Sequence, residues 1–170
     1  MKDPHALYKL IVLYMLDKVN FPLTKAQVGD FILEREYTNF ITLQSVIAEL
    51  IETKLVTAQS YRNRTHLRLT KEGSDTMHFF ENEINNGIKS DIDEFFKANS
   101  IEMRNESSII SDYYKTTQGD YVAHLIAKEK ETNLIDMSLS VPTEELASTI
   151  CDNWNNKNQQ IYEYLCKELF

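Results

Sequence analysis

Glycine and proline are scarce in this chain, four and three among 170 residues. So few breakers leave little room for long irregular segments, and a hydrophobic fraction of 42% is too high for general disorder. No long apolar run is present. The longest, Leu10 to Leu16, is far shorter than the ~20 residues that span a bilayer. No small-residue cleavage site follows it, so neither a membrane span nor a signal peptide is expected. The expectation is a cytoplasmic protein with no membrane partner.

Cysteine is nearly absent too. Cys151 and Cys166 fall in one helical stretch, where their separation of roughly 22 Å exceeds the ~7 Å a disulfide allows. They read as reduced core residues. The four histidines, His5, His66, His78 and His124, have no partner at helical spacing, so no metal site is expected. Asp91, Asp93 and Glu94 fall between Ile88, Ile92 and Phe95 and read as a solvated helix face. There is no glycine-rich phosphate loop and no nucleophile in a recognisable motif. Nothing points to an enzyme or to a cofactor.

What is present is organised. The net charge of −8 is unevenly spread. Through Gly73 the chain carries 10 Lys/Arg against 8 Asp/Glu, a balance of +2, and from Ser74 onward 8 against 18, a balance of −10. Between Gln59 and Lys71 stand Arg62, Arg64, Arg68 and Lys71 with no acid among them.

Asp3-Pro4 predicts a helix start, with a capping aspartate and a preorganised first residue. The helix to about Asn20 is apolar nearly all round, which implies burial on more than one side. Thr24-x-x-Gln27 is a capping box for a second helix with Val28, Phe31 and Ile32 on its buried stripe. A third helix from about Thr42 to Thr53 buries Leu43, Val46, Ile47, Leu50 and Ile51. The period then changes to two. Residues 55–58 and 66–69 bracket Tyr61-Arg62-Asn63-Arg64, a hairpin with a basic tip. Apolar residues every three or four positions from Met77 to Phe96 predict a long helix to about Ala98, which Asn85-Asn86-Gly87 can kink or split. The polar stretch 99–107 reads as a linker. Strands are predicted at Ser108–Lys115, Tyr121–Lys128 and Asn133–Val141, then a helix after Pro142 with its stripe on Leu146, Ile150, Trp154, Ile161, Leu165 and Leu169.

Three helices followed by a basic hairpin is the order of a winged helix-turn-helix. In that arrangement the third helix offers its outer face to the major groove and the hairpin tip meets phosphates. The segment Ala48 to Val56, the basic hairpin and Leu69-Thr70-Lys71-Glu72-Gly73 resemble the winged-helix core of MarR-like and PadR-like bacterial transcriptional regulators, over about 80 residues. The resemblance implies that Leu-Thr-x-x-Gly closes the wing and leads into the next helix. The segments Asp112 to Thr117 and Leu139 to Thr143 are similar to an uncharacterised bacterial winged-helix family of unknown function, over nearly the whole chain.

The expected class is therefore α+β: a winged helix-turn-helix domain over 1–73, a long connecting helix over 74–98 and a β-β-β-α module over 108–170. The expected function is a sequence-specific, DNA-binding transcriptional regulator, a homodimer on double-stranded DNA. The first helix and the long fourth helix are its expected pairing surfaces. Base contacts are expected from Thr42, Gln44 and Ser45, and backbone contacts from Arg62, Asn63, Arg64 and Arg68. Glu49 and Glu52 on the same outer face would repel phosphate. An adaptor that uses the scaffold to bind protein is the alternative, as is a C-terminal module that senses a small-molecule or protein effector.

Overall fold

A computed structural model describes residues 3–62 and 64–170. The protein is α+β, and its contacts divide it into two units. The first comprises residues up to Ser60 and Arg64–Arg104, and the second Tyr61 and Arg62 with Asn105–Phe170.

In the first unit, α1 (Pro4–Lys18) starts where Asp3 accepts a hydrogen bond from the His5 backbone N–H. Leu10 to Leu16 are all buried. The expected covering by a second copy is thus not needed: Val12, Leu13, Met15 and Leu16 are covered within the chain and α1 is not a free pairing surface. The remaining elements wrap this helix. A two-residue strand, β1 (Leu23–Thr24), precedes α2 (Lys25–Glu34). The capping box is complete: Gln27 N–H donates to Thr24 Oγ1 at 3.0 Å, and Thr24 N–H to Gln27 Oε1 at 2.9 Å. Next come α3 (Phe40–Glu52), β2 (Val56–Tyr61) and β3 (Arg64–Leu69). The sheet order is β1-β3-β2, so β3 is central. The sequence gives no sign of β1, because a two-residue strand has no period to detect.

Both α2 and α3 stop by the same device. Glu36 (φ 56°) and Lys54 (φ 62°) take left-handed conformations after the last turns. Glu36 N–H then reaches the Leu33 carbonyl and Tyr37 N–H that of Ile32, while Lys54 reaches Ile51 and Leu55 reaches Leu50. These are paired Schellman closures with non-glycine residues in the strained position.

The turn from β3 into α4 (Lys71–Phe80) explains the Leu-Thr-x-x-Gly element physically. Thr70 caps the helix by accepting from Gly73 N–H at 3.0 Å. Its hydroxyl lies 2.8 Å from the Lys54 carbonyl and 3.0 Å from that of Leu55, and its own N–H donates to Leu55 at 3.1 Å. Gly73 is there because the Leu55 carbonyl oxygen lies where a Cβ would go, 2.0 Å away.

The expected single helix after Gly73 is split. A 3₁₀ turn at Glu81–Glu83 follows α4, Ile84 is extended, and α5 (Asn86–Ser108) begins where Asn85 Oδ1 accepts from Ile88 N–H. The break thus lies over residues 81–85, ahead of the expected Asn85-Asn86-Gly87: only Asn85 falls in it, as the cap, and Asn86 and Gly87 already belong to α5. The polar stretch 99–107 is helical, a continuation of α5. Ile84, Ile88, Ile92, Phe96 and Met103 join the core around α1.

In the second unit, β4 (Ile109–Lys115), β5 (Tyr121–Glu129) and β6 (Thr132–Val141) form an antiparallel sheet in that order. A single helix, α6 (Glu144–Leu169), covers one face from its Thr143 cap. Leu125, Ile135, Met137 and the small Ala123 and Ala127 meet Cys151 and Trp154. The Trp154 indole N–H donates to the Ile126 carbonyl at 3.2 Å, so its polar edge is satisfied inside the core. Cys151 and Cys166 are both free thiols.

Candidate nucleic-acid interface

The buried face of α3 consists of Leu43, Val46, Ile47 and Leu50. Its opposite face therefore follows by geometry. Ile41, Ser45, Ala48 and Glu52, at helical spacing, form an exposed row, with Thr42, Gln44 and Glu49 half-buried along its flanks. The helix starts two residues earlier than Thr42, because Asn39 is the cap and accepts from Thr42 N–H at 2.8 Å. Thr42 thus belongs to the first turn, near the positive end of the helix dipole.

The early start brings in two residues that the sequence reading left in a loop. Phe40 is 62% exposed and Ile41 80% exposed, both in that first turn. The missed signal was Asn39, a standard cap residue three places before the expected start at Thr42.

The acids on this helix are partly compensated. Lys9 Nζ of α1 lies 2.6 Å from Glu49 Oε2. That hydrogen-bonded ammonium holds the Glu49 carboxyl below the usual carboxylate range. Both groups are partly exposed, so the pair adds little stability, but the local charge is close to zero. Glu52 lies exposed at the far end.

The expected phosphate contacts divide. Arg64 is exposed at the start of β3, and Arg68 is half-buried further along it. Asn63 lies outside the described residues. Tyr61 and Arg62 count with the second unit. There Arg62 Nη1 donates to Asp152 Oδ1 at 2.8 Å, Nη2 lies 3.3 Å from Ser148 Oγ, and the guanidinium stands 5.9 Å from the Tyr113 ring centre. Partial burial, the largest single effect, works against its charge, but the hydrogen bond to Asp152 and the charge of that carboxylate, with smaller contributions from Cys151 and Tyr113, together outweigh it and leave the Arg62 pKa raised.

Elsewhere, Tyr37 donates to Asp91 Oδ2 at 2.7 Å, and Arg35 lies 3.2 Å from Oδ1 of the same carboxylate. Burial first and this hydrogen bond second push the Tyr37 pKa up to about 12. Asp91, expected to be merely solvated, thus ties the end of α2 to α5. Among the described residues, no group of three or more His, Cys, Asp or Glu side chains could hold a metal ion. No helix among them is long and apolar enough to cross a membrane.

A family model described as "Domain of unknown function (DUF4364)" matches residues 8–169. No curated protein and no solved structure matches the chain.

Proposed function

Starting from a chain that belongs to the DUF4364 family, we propose that its first unit is a winged helix-turn-helix and that the protein is a sequence-specific transcriptional regulator. In this reading α2 and α3 are the helix-turn-helix and α3 lies in the major groove. The hairpin β2–β3 is the wing. The observation that carries it is the outer face of α3. Its N-terminal half presents Ile41, Thr42, Gln44 and Ser45 with no acid, and the nearest glutamate, Glu49, already has a cation beside it. Arg64, Arg68 and Lys71 supply the sequence-independent attraction to phosphate.

Short half-sites favour two-fold pairing. With α1 covered, the pairing surface falls to α4. Phe79 is 79% exposed there, edge-to-face with Phe80 at 4.8 Å between ring centres. Two exposed aromatic rings on one helix suit an interface core better than water.

The test is selection of bound duplexes from a random library with the full chain, followed by titration at several salt concentrations. Enrichment of a two-fold symmetric site is expected, with affinity falling steeply as salt rises. Binding to no duplex even at low salt would overturn the reading. The adaptor reading keeps one specific support: Arg62 is already ion-paired to Asp152, which removes a cation from the hairpin tip.

A further inference from the structure

We infer that the exposed row of α3 reads thymine, with Ile41 packing against the 5-methyl group of a thymine in the major groove. The inference rests on the DNA reading above and deepens it to a base. Ile41 is unusual for its place: a branched aliphatic side chain, 80% exposed, in the first turn of a helix whose buried side is already complete with Leu43, Val46, Ile47 and Leu50. It contributes nothing to the core, so folding does not explain it.

Its neighbours narrow the occupant. Ser45 and Ala48 continue the row one and two turns on, and both are short. A row that falls from a large residue to small ones lets the helix axis approach a flat surface closely while one side chain leads. No cation stands on this row, so bidentate recognition of guanine by Arg or Lys is absent from it. Apart from the Glu52 carboxylate at the far, C-terminal end, the chemistry left on the row is aliphatic contact and one hydroxyl. In the major groove the only aliphatic group a base pair displays is the thymine methyl, and the adjacent adenine offers acceptor and donor edges to Gln44 or Ser45. A second copy of the chain is the competing occupant. Phe40 and Ile41 together expose a few hundred Å² at most, well short of the roughly 800 Å² per partner of a stable interface.

The experiment uses the full chain and the duplex recovered by selection. Each thymine is replaced in turn by deoxyuridine, which removes the methyl and leaves every hydrogen-bonding group in place, and affinity is read by fluorescence anisotropy. For the wild type, one thymine per half-site is expected to be sensitive, with about a fourfold loss. That is the worth of one buried methyl, ~0.8 kcal/mol. Changing both half-sites should cost roughly fifteenfold. Ile41→Ala should bind the thymine duplex about as weakly as the wild type binds the uracil one, and be indifferent to the exchange. Ile41→Val should retain part of the discrimination. Because the side chain is exposed, neither variant should alter the unfolding transition. A bound duplex with no uracil-sensitive position, or a uracil penalty that persists in Ile41→Ala, would overturn the inference while leaving the DNA reading intact. Loss of dimer mass in Ile41→Ala on sedimentation would overturn it in favour of a second copy. Failure to bind any duplex would remove the DNA reading and this inference together.

Discussion

Replacing Gly73 with alanine inverts the usual effect of that change. In an ordinary helical position Gly→Ala stabilises by up to ~1 kcal/mol, through lost freedom in the unfolded chain. At Gly73 the new Cβ would sit 2.0 Å from the Leu55 carbonyl oxygen, 2.8 Å from Leu69 Cδ1 and 3.0 Å from the Leu55 carbonyl carbon. Ordinary contact begins near 3.4 Å, so backbone must move by more than 1 Å. The carbonyl cannot move without cost, because it accepts from Thr70 N–H and shares the Thr70 Oγ1–H with the Lys54 carbonyl. Losing those two bonds costs about 2 kcal/mol, and displacing Leu69 adds roughly 1–3 by overpacking. After the propensity gain, the expected net loss is about 2–4 kcal/mol. Gly29→Ala is the internal control. It is also helical, but its Cβ would meet only Leu33 Cδ1 at 3.8 Å and Leu43 Cδ2 at 3.9 Å. That variant should be neutral or stabilised by up to ~1 kcal/mol. Urea unfolding followed by circular dichroism at 222 nm compares the two. If Gly73→Ala is as stable as Gly29→Ala, the account of the Leu-Thr-x-x-Gly turn as a close approach to Leu55 is wrong.

Glu36→Gly should stabilise by about 1 kcal/mol in the same assay, since Glu36 holds a left-handed conformation (φ 56°) that glycine adopts without strain; an unchanged or lower midpoint would contradict this. Tyr37 has a folded pKa raised from 10.0 to about 12. Its stabilising effect is therefore complete below pH 10 and is lost as pH rises towards 12, because the unfolded tyrosine gives up its proton first. Tyr37→Phe should lose about 1–2 kcal/mol at neutral pH with its hydrogen bond to Asp91, and a pH series of unfolding midpoints should show less alkaline decline than in the wild type. Arg64→Ala should lower the slope of log affinity against log salt by about 0.9. Arg62→Ala should change it by less than half as much, because Asp152 already pairs with that guanidinium; equal slopes for both variants would place Arg62 on phosphate. Phe79→Lys should yield a folded monomer by sedimentation, with an unfolding midpoint that no longer rises with protein concentration, and a persistent dimer would exclude α4 as the pairing surface.

Much of the fold was legible along the chain because its signals are local. The Asp3-Pro4 start, the Thr24 capping box, the apolar stripes of α2 and α3 and the alternation of β6 each depend on residues within a few positions of one another. The α6 stripe was only partly right: Trp154 is buried, but Leu146 and Leu169 are exposed, and the smaller Ala147 and Cys151 take the buried places. The same locality explains the failures. Asn39 could be read as a cap only by weighing it against Thr42, and the polar composition of residues 99–107 hid a helical stretch that buries only Met103 and Ser107.

What only the tertiary structure decided concerns burial and charge. The sequence of α1 implied an all-round apolar helix but could not say whether a partner or the chain's own elements covered it; the surrounding helices and sheet do so. Likewise, Glu49 read as a repulsive acid and Arg62 as an available cation. Lys9, forty residues away, accompanies the first, and Asp152, ninety residues away, accompanies the second. An isolated residue's charge is fixed by its type, whereas its effect depends on the counter-charge within a few ångströms, and that distance exists only once the chain has folded.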